Sequence, residues 1–275
     1  MTAIAAASLR PAGSALRAAI RVVGFVGLAL IVVVVAMSDV IARAPADAAG
    51  IGPLLAAPSA AFPFGTDLLG RDLLSETLHA LAITLAYGLV AMLVTLAGGF
   101  AGFIVARLPW HAGGGLRWIA GILAAVPALL LAILFVGIAG RGFAPVAAGL
   151  AAAPLAFTRS YDRARALARS RHAEFARATG IPDTTLLRRD LVYEFRDTSL
   201  TSAARALAAV TIILSTVSFL GFGSVPPHRD LGLMIAAALP SYMDAWWTAA
   251  FPALALLLLI LFARLAAALE EGERP

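Results

Sequence analysis

The chain has 275 residues, 61% hydrophobic and 13% charged, with a formal net charge of +5 and a mean hydropathy of +0.91. A soluble domain is about 45–50% apolar, so too little polar surface remains to cover a soluble globule, and the composition specifies an integral membrane protein. All 21 basic residues are arginine and there is no cysteine, which excludes a Walker A loop, whose lysine contacts the phosphates, and with it disulfides, thiolate catalysis and cysteine–zinc sites.

In chain order, Arg10, Arg17 and Arg21 flank an apolar run from Val22 to Met37. A cleavable signal sequence has the same flank and core, but no small-x-small cleavage site follows closely, so an uncleaved first span is expected. Six apolar stretches, 18–38, 81–106, 118–139, 143–158, 206–223 and 245–263, lie near the roughly 20 residues that cross about 30 Å of hydrocarbon. The second, third, fifth and sixth contain no charged residue, and the fourth is short and alanine-rich.

Arginine placement orients the spans. The segment 159–199 holds Arg159, Arg163, Arg165, Arg169, Arg171, Arg177, Arg188, Arg189 and Arg196, and Arg107 and Arg117 flank the link between spans two and three. The loops 39–80 and 224–244 are poor in arginine. The termini, 1–17 and 264–275, and the 159–199 loop are therefore expected in the cytoplasm, with 39–80 outside.

The outer loop opens with the irregular "ARAPADAAGIGPLLAAPSAAFP" and then turns amphipathic in "FPFGTDLLGRDLLSETLHALA", Phe62 to Ala82. Gly65 and Gly70 permit tight turns. Asp67 and Arg71 have the i,i+4 helical spacing of an ion pair. Asp72 can cap the next helix, with Glu76 near its positive end. On the cytoplasmic side "SYDRARALARSRHAEFARAT" predicts one helix, stopped by Gly180 and Pro182.

The spans hold almost no ionisable residue, which argues against a proton-coupled secondary transporter. His79, His111, His172 and His228 are isolated and form no HExxH pair, so no metal site is expected. Thr84, Thr95, Thr211, Ser215 and Thr216 can line a polar pathway or hydrogen-bond back to their own or neighbouring helices. Gly98, Gly99, Gly102, Gly137 and Gly140 allow close helix approach.

Five segments then share a family likeness. "PFGTDLLGRDLLS", "VPALLLAI", "SFLGFG", "VPPHRDLGLM" and "DAWWTAAFPALAL" follow one another from Phe62 onwards. Between them, in "EFARATGIPDTTLLRRDLVYEF", Glu174, Ala176 and Gly180 stand at the spacing of an EAA loop, with Phe175 in place of its second residue. Asp190, Val192 and Tyr193 stand at the closing positions, without the usual proline. Taken together the chain resembles the permease subunits of binding-protein-dependent ABC importers, in the dipeptide, oligopeptide and nickel branch (the second, C-type permease). Leu214 and Leu231 depart from the glutamate and tryptophan usual there.

The resemblance implies an all-α membrane protein with six transmembrane helices, the type I ABC importer permease fold, cytoplasmic termini and a core over 81–263, in a bacterial inner membrane. It implies half of a pathway for peptides or a related small solute such as a nickel chelate. The partners would be a second homologous permease, two ATPase subunits or one fused ATPase, and an extracytoplasmic solute-binding protein, in a lipid bilayer and without nucleic acid. No cofactor is expected in this chain, with ATP and Mg on the ATPase subunits. Glu174, Phe175, Ala176, Arg177, Gly180 and Asp183 would form the ATPase-coupling element, and Gly65, Asp67, Gly70, Arg71 and Asp72 an extracytoplasmic rim. Thr211, Ser215 and Thr216 would line the pathway.

On spacing alone, the coupling segment also reads as an amphipathic helix on anionic lipid, and the rim as a lead-in fixing the entry of span two. A permease for amino acids or metal chelates, or a non-transporting polytopic paralogue, is the alternative at the level of the whole chain.

Overall fold

Hydrocarbon offers no hydrogen bonds to the backbone, so uncharged apolar runs must satisfy their N–H and C=O groups internally, as helices. The computed structural model describes residues 10–45, 48–108, 110–225 and 228–268, and their side chains outside 10–15, 110–112, 183–184, 187 and 190–199. Among these residues there are ten α-helices: α1 (Arg10–Ala36), α2 (Ser38–Ile41), α3 (Leu73–Val105), α4 (Trp110–Ala125), α5 (Ala128–Ala139), α6 (Ala144–Ala168), α7 (Arg171–Ala178), α8 (Asp183–Phe219), α9 (Leu231–Ala238) and α10 (Trp247–Ala266). The β structure among them is an isolated antiparallel bridge, Thr66 to Asp72.

Four helices are long and apolar enough to cross a membrane: Leu16–Ala36, Leu73–Val105, Leu200–Phe219 and Trp247–Ala266. A bent pair makes a fifth candidate and breaks the apolar stretch expected over 118–139: α4 and α5 meet at 96°. The cause is Pro127, which has no N–H to continue α4 and disfavours helical backbone at Val126. Pro127 itself is extended, at φ −53 and ψ 124, and its carbonyl starts α5 by accepting from the Leu130 and Leu131 N–H groups.

Other expected boundaries also move. The second helix begins at Leu73 rather than 81, and the fifth ends at Phe219 rather than 223. Gly221 then turns the chain at φ +86. The fourth stretch runs past 158 without interruption, as α6 reaches Ala168 and carries Arg159, Arg163 and Arg165.

By its contacts the chain divides into two units, one of residues 1–86 and 218–275, the other of 87–217. In the first, α1 crosses α10 at two glycines: a Cβ on Gly24 would fall 2.1 Å from the Ala266 nitrogen, and one on Gly27 2.2 Å from the Phe262 ring. Leu73, Leu81, Leu231, Met234 and Leu259 form its buried centre, and the Phe64 ring stacks on Phe251 at 4.1 Å between centroids.

In the second unit Leu131, Val136, Ala147, Val210 and Leu214 are packed in the core. Of the glycines expected to permit close approach, Gly98 and Gly102 do so against α6, whereas Gly137 and Gly140 meet none of the described residues within 4 Å. A Cβ on Gly102 would lie 2.2 Å from the Phe157 carbonyl oxygen. Gly102→Ala should therefore lower the thermal stability of the detergent-solubilised chain, by about 1–3 kcal/mol for a forced backbone shift. Gly115→Ala, which meets nothing within 4 Å, should be neutral or stabilising by roughly 0.5–1 kcal/mol. Equal melting temperatures in the two variants would contradict this packing.

Candidate functional site

The segment before α3 is a turn held by its own backbone. Gly65 and Gly70 adopt φ +78 and +66, and a side chain on Gly65 would strike the Ala56 carbonyl at 2.5 Å. Thr66 is fully buried. Its hydroxyl donates to the Pro53 carbonyl at 2.5 Å and accepts from the Ala56 N–H at 2.8 Å, while the Trp247 indole N–H reaches the Thr66 carbonyl at 3.3 Å.

The i,i+4 spacing of Asp67 and Arg71 is not helical here. Asp67 Oδ1 accepts from the Leu69 and Arg71 N–H groups at 2.8 and 2.9 Å, an Asx-type turn of the kind that competes with helix formation. The two side chains approach only to 4.0 Å. Arg71 instead points its Nη1 at Glu76 Oε1, 3.3 Å away.

Asp72 closes the turn as the cap of α3, with Oδ2 accepting from the Ser75 N–H at 3.2 Å and from the Ser75 hydroxyl at 2.5 Å. Asp230 does the same for α9: Oδ1 accepts from the Leu233 N–H at 2.9 Å and Oδ2 from the Ser218 hydroxyl at 2.6 Å. Arg229 donates to Glu76 Oε1 at 2.9 Å, the oxygen that Arg71 also meets. Two Arg-Asp-Leu turns, 71–73 and 229–231, therefore converge on one carboxylate, each with a capping aspartate and a leucine no more than 2% exposed.

Glu76 and Arg229 were not among the rim residues expected from sequence. The signal was the repeated tripeptide, but Arg-Asp-Leu also occurs at 189–191 within α8, so the tripeptide alone does not find the pair. A cavity of about 270 Å³ lies beside the triad, lined by Asp67, Leu69, Glu76, Arg229, Met234 and Ser241 among others. It falls just below the roughly 300–1,000 Å³ of small-ligand sites.

The 159–199 segment departs from the single helix expected. It breaks at Arg169–Ser170, because Ser170 is extended (φ −68, ψ 149) and caps α7 by accepting from the Ala173 N–H. Gly180, at φ +83, ends α7: the Ile181 N–H reaches the Ala176 carbonyl and the Gly180 N–H the Arg177 carbonyl, each at 3.0 Å. That is the Schellman pattern, which places glycine at the left-handed position.

Within this capped helix Ala173 and Ala176 are buried, whereas Phe175 is 70% exposed. Glu174, Arg177 and Gly180 are exposed too. Arg177 donates to the Ala168 carbonyl at 3.0 Å, pinning α7 to the end of α6. Arg189 lies 2.8 Å from His172 Nε2. Arginine can only donate, so that nitrogen accepts. Asp183 opens α8, and its side chain, like those of Asp190, Val192 and Tyr193, lies outside the described residues.

Of the hydroxyls singled out as possible lining, Thr84 bonds back to the Ala80 carbonyl and accepts the Leu231 N–H. Thr95 bonds to the Ala91 and Gly149 carbonyls. Thr216 bonds back to Ile212 at 2.8 Å on an exposed face. Thr211 and Ser215 are buried, at 0% and 6% exposure, and among the described residues their hydroxyls have no hydrogen-bond partner. Thr211 faces Gly88, where a Cβ would come within 3.2 Å of its Oγ1.

Comparison with known proteins covers most of this architecture. Residues 98–271 match the family described as binding-protein-dependent transport system inner membrane component. The chain is 30% identical to the di/tripeptide transport system permease protein of Pseudomonas aeruginosa over 206 residues, 74% of this chain and 68% of that one. It is 32% identical to the glutathione transport system permease protein of Pectobacterium atrosepticum over 207 residues, 74% and 69% of the two chains. With a putative peptide transport system permease protein of Brucella suis it shares 28% identity over 239 residues, 85% and 80% of the two.

Proposed function

Because the chain belongs to the family of inner membrane components of binding-protein-dependent transport systems, and is thus a permease subunit whose ATPase is a separate chain, we propose that it forms half of an import pathway for short peptides or a closely related solute. The named solutes of its relatives, di- and tripeptides and glutathione, support that class. The single observation that carries an ATP-driven mechanism is α7. It is an eight-residue helix closed at both ends by its own caps, with an exposed phenylalanine on a short arginine-flanked lever.

In this reading Glu174, Phe175, Ala176, Arg177, Gly180 and Asp183 form the coupling element. Phe175 enters an apolar cleft on the ATPase, and the arginines meet its carboxylates. The buried Ala173 and Ala176 anchor α7 so that force on Phe175 reaches α6 and α8. The apolar part of α6 supplies the sixth span beside the four single helices and the bent pair. The termini and α7 face the cytoplasm, by arginine distribution.

The turn of Gly65, Asp67, Gly70, Arg71 and Asp72 faces outward, where the solute-binding protein docks on a rim stiffened by Glu76. Thr211, Ser215 and Thr216 line the pathway when α3 and α8 part. Water entering then would satisfy the Thr211 and Ser215 hydroxyls, which cost free energy while buried without partners. A second homologous permease and two ATPase subunits, or one fused, complete the assembly, with ATP and Mg on the ATPase.

The test is reconstitution. Tagged chain, co-expressed with the ATPase, second-permease and binding-protein genes of its source, should co-purify with both membrane and ATPase partners. In proteoliposomes it should take up labelled di- and tripeptides only with ATP. A chain that purifies alone, or vesicles that do not accumulate peptide, would overturn the proposal.

A further inference from the structure

In the unit of residues 87–217 the break between α4 and α5 borders a cavity of about 490 Å³, well within the roughly 300–1,000 Å³ of small-ligand sites. Its walls are graded. On α6 the lining runs from Ala151 and Leu155 to Arg159 and Arg163, and on α8 from Ser202 and Arg205 to Ala209 and Ile213. The polar and basic residues come last on α6 (Arg159, Ser160, Arg163) and first on α8 (Ser202, Arg205), the two ends that the α7 segment joins, so positive charge gathers at one end and apolar surface at the other.

Among the described residues lining the cavity none is acidic. Three of the lining residues, Phe100, Val126 and Leu155, are large apolar side chains 46%, 37% and 46% exposed. The opening is therefore edged by surface suited to hydrocarbon rather than to water.

We propose that this cavity is a binding site for an anionic phospholipid, drawn from the leaflet on the arginine side. An acyl chain occupies the apolar trough, and the phosphate lies on Arg159, Arg163 and Arg205. Residues 151 to 163 span about 18 Å of helix, close to the ~15 Å that one leaflet contributes to a ~30 Å hydrocarbon core. The guanidinium fork matches phosphate oxygens in pairs, and basic pockets between transmembrane helices are where such headgroups settle. The site lies against Ala125, Val126 and Pro127, so a bound lipid fills the space beside the 96° bend and favours the bent form by mass action. The inference rests on the chain spanning a membrane, and not on its solute or on the coupling role of α7.

The experiment uses the full chain, both alone in detergent and in its co-purified complex, with native mass spectrometry and lipid titration. Phosphatidylglycerol and phosphatidylcholine of identical acyl chains are the probes. Wild type should retain phosphatidylglycerol about ten-fold more strongly, a difference of ~1.4 kcal/mol. The Arg163→Gln/Arg205→Gln variant should bring the ratio near one, and Ala152→Phe should reduce retention of both lipids.

The wild-type ratio stands as a readout of its own if a variant fails to elute as a monodisperse complex. Equal retention of the two lipids by wild type overturns the proposal, as does a ratio unchanged in a folded arginine variant. Loss of all lipid on assembly would assign the cavity to the partner permease. Displacement of phosphatidylglycerol by a soluble tripeptide would assign it to the solute path. Either result also overturns the proposal.

Discussion

Phe175→Ala is expected to leave the permease folded and inserted while weakening ATPase docking about 30-fold, and to cut ATP-driven uptake correspondingly. A large aromatic side chain 70% exposed on an eight-residue helix contributes little to its own fold that alanine would lose. Seated in a partner's cleft it would act as a hot spot worth about 2 kcal/mol or more, which is the stated factor. The measurement is affinity of the ATPase for purified permease, beside uptake in proteoliposomes.

Gly180→Ala gives a graded companion. Among the described residues an added Cβ meets nothing within 4 Å at φ +83, so its effect is backbone strain of about 1–2 kcal/mol acting through the end of α7. Docking within two-fold of wild type for Phe175→Ala would remove α7 from the coupling role.

The second large effect belongs to Glu76. Its carboxylate is 4% exposed and meets Arg71 and Arg229, which are 15% and 24% exposed. Glu76→Ala leaves two guanidinium groups facing each other without a counter-charge. Removing one partner of a buried ion pair costs about 3–5 kcal/mol, and the lower end applies because both arginines retain some solvent. Arg229→Ala should cost less, since Glu76 keeps Arg71. Glu76→Gln should fall between, because an amide oxygen at the Oε1 position can still accept from both arginines while the counter-charge is lost.

Unfolding in detergent, followed by circular dichroism, orders the three variants. A Glu76→Ala chain within about 1 kcal/mol of wild type would show that the triad does not hold the two turns. The expected loss is in folding stability, so this experiment does not depend on the solute.

Much of the fold could be read before the structure. Uncharged runs at 81–106, 206–223 and 245–263 marked α3, α8 and α10 because hydrocarbon requires helices of such runs. Gly180 followed by Pro182 marked the end of α7, since the left-handed cap and the proline stop are local chemistry. Asp72, next to an apolar run, likewise announced a cap. Pro127, in contrast, sat inside an uncharged stretch whose hydropathy hid it, and its position two residues after Ala125 bends the third span through 96°. The helical spacing of Asp67 and Arg71 misled for a related reason. Asx-turn hydrogen bonds and a glycine at positive φ override side-chain periodicity over five residues.

Composition and pattern alone determined that this is a membrane-spanning helical protein without a phosphate loop of its own, and they supplied the segments that identify its family. Those properties depend on residues acting one at a time or within a few positions, through transfer free energy and local backbone preference. The tertiary structure alone decided that Arg71 and Arg229, 158 positions apart in number, share one glutamate. It also decided that Gly102 rather than Gly137 carries a helix crossing, and that arginines from α6 and α8 border a single apolar cavity. Contacts of that kind depend on where distant helices cross, and close packing sets those crossings for the whole unit at once.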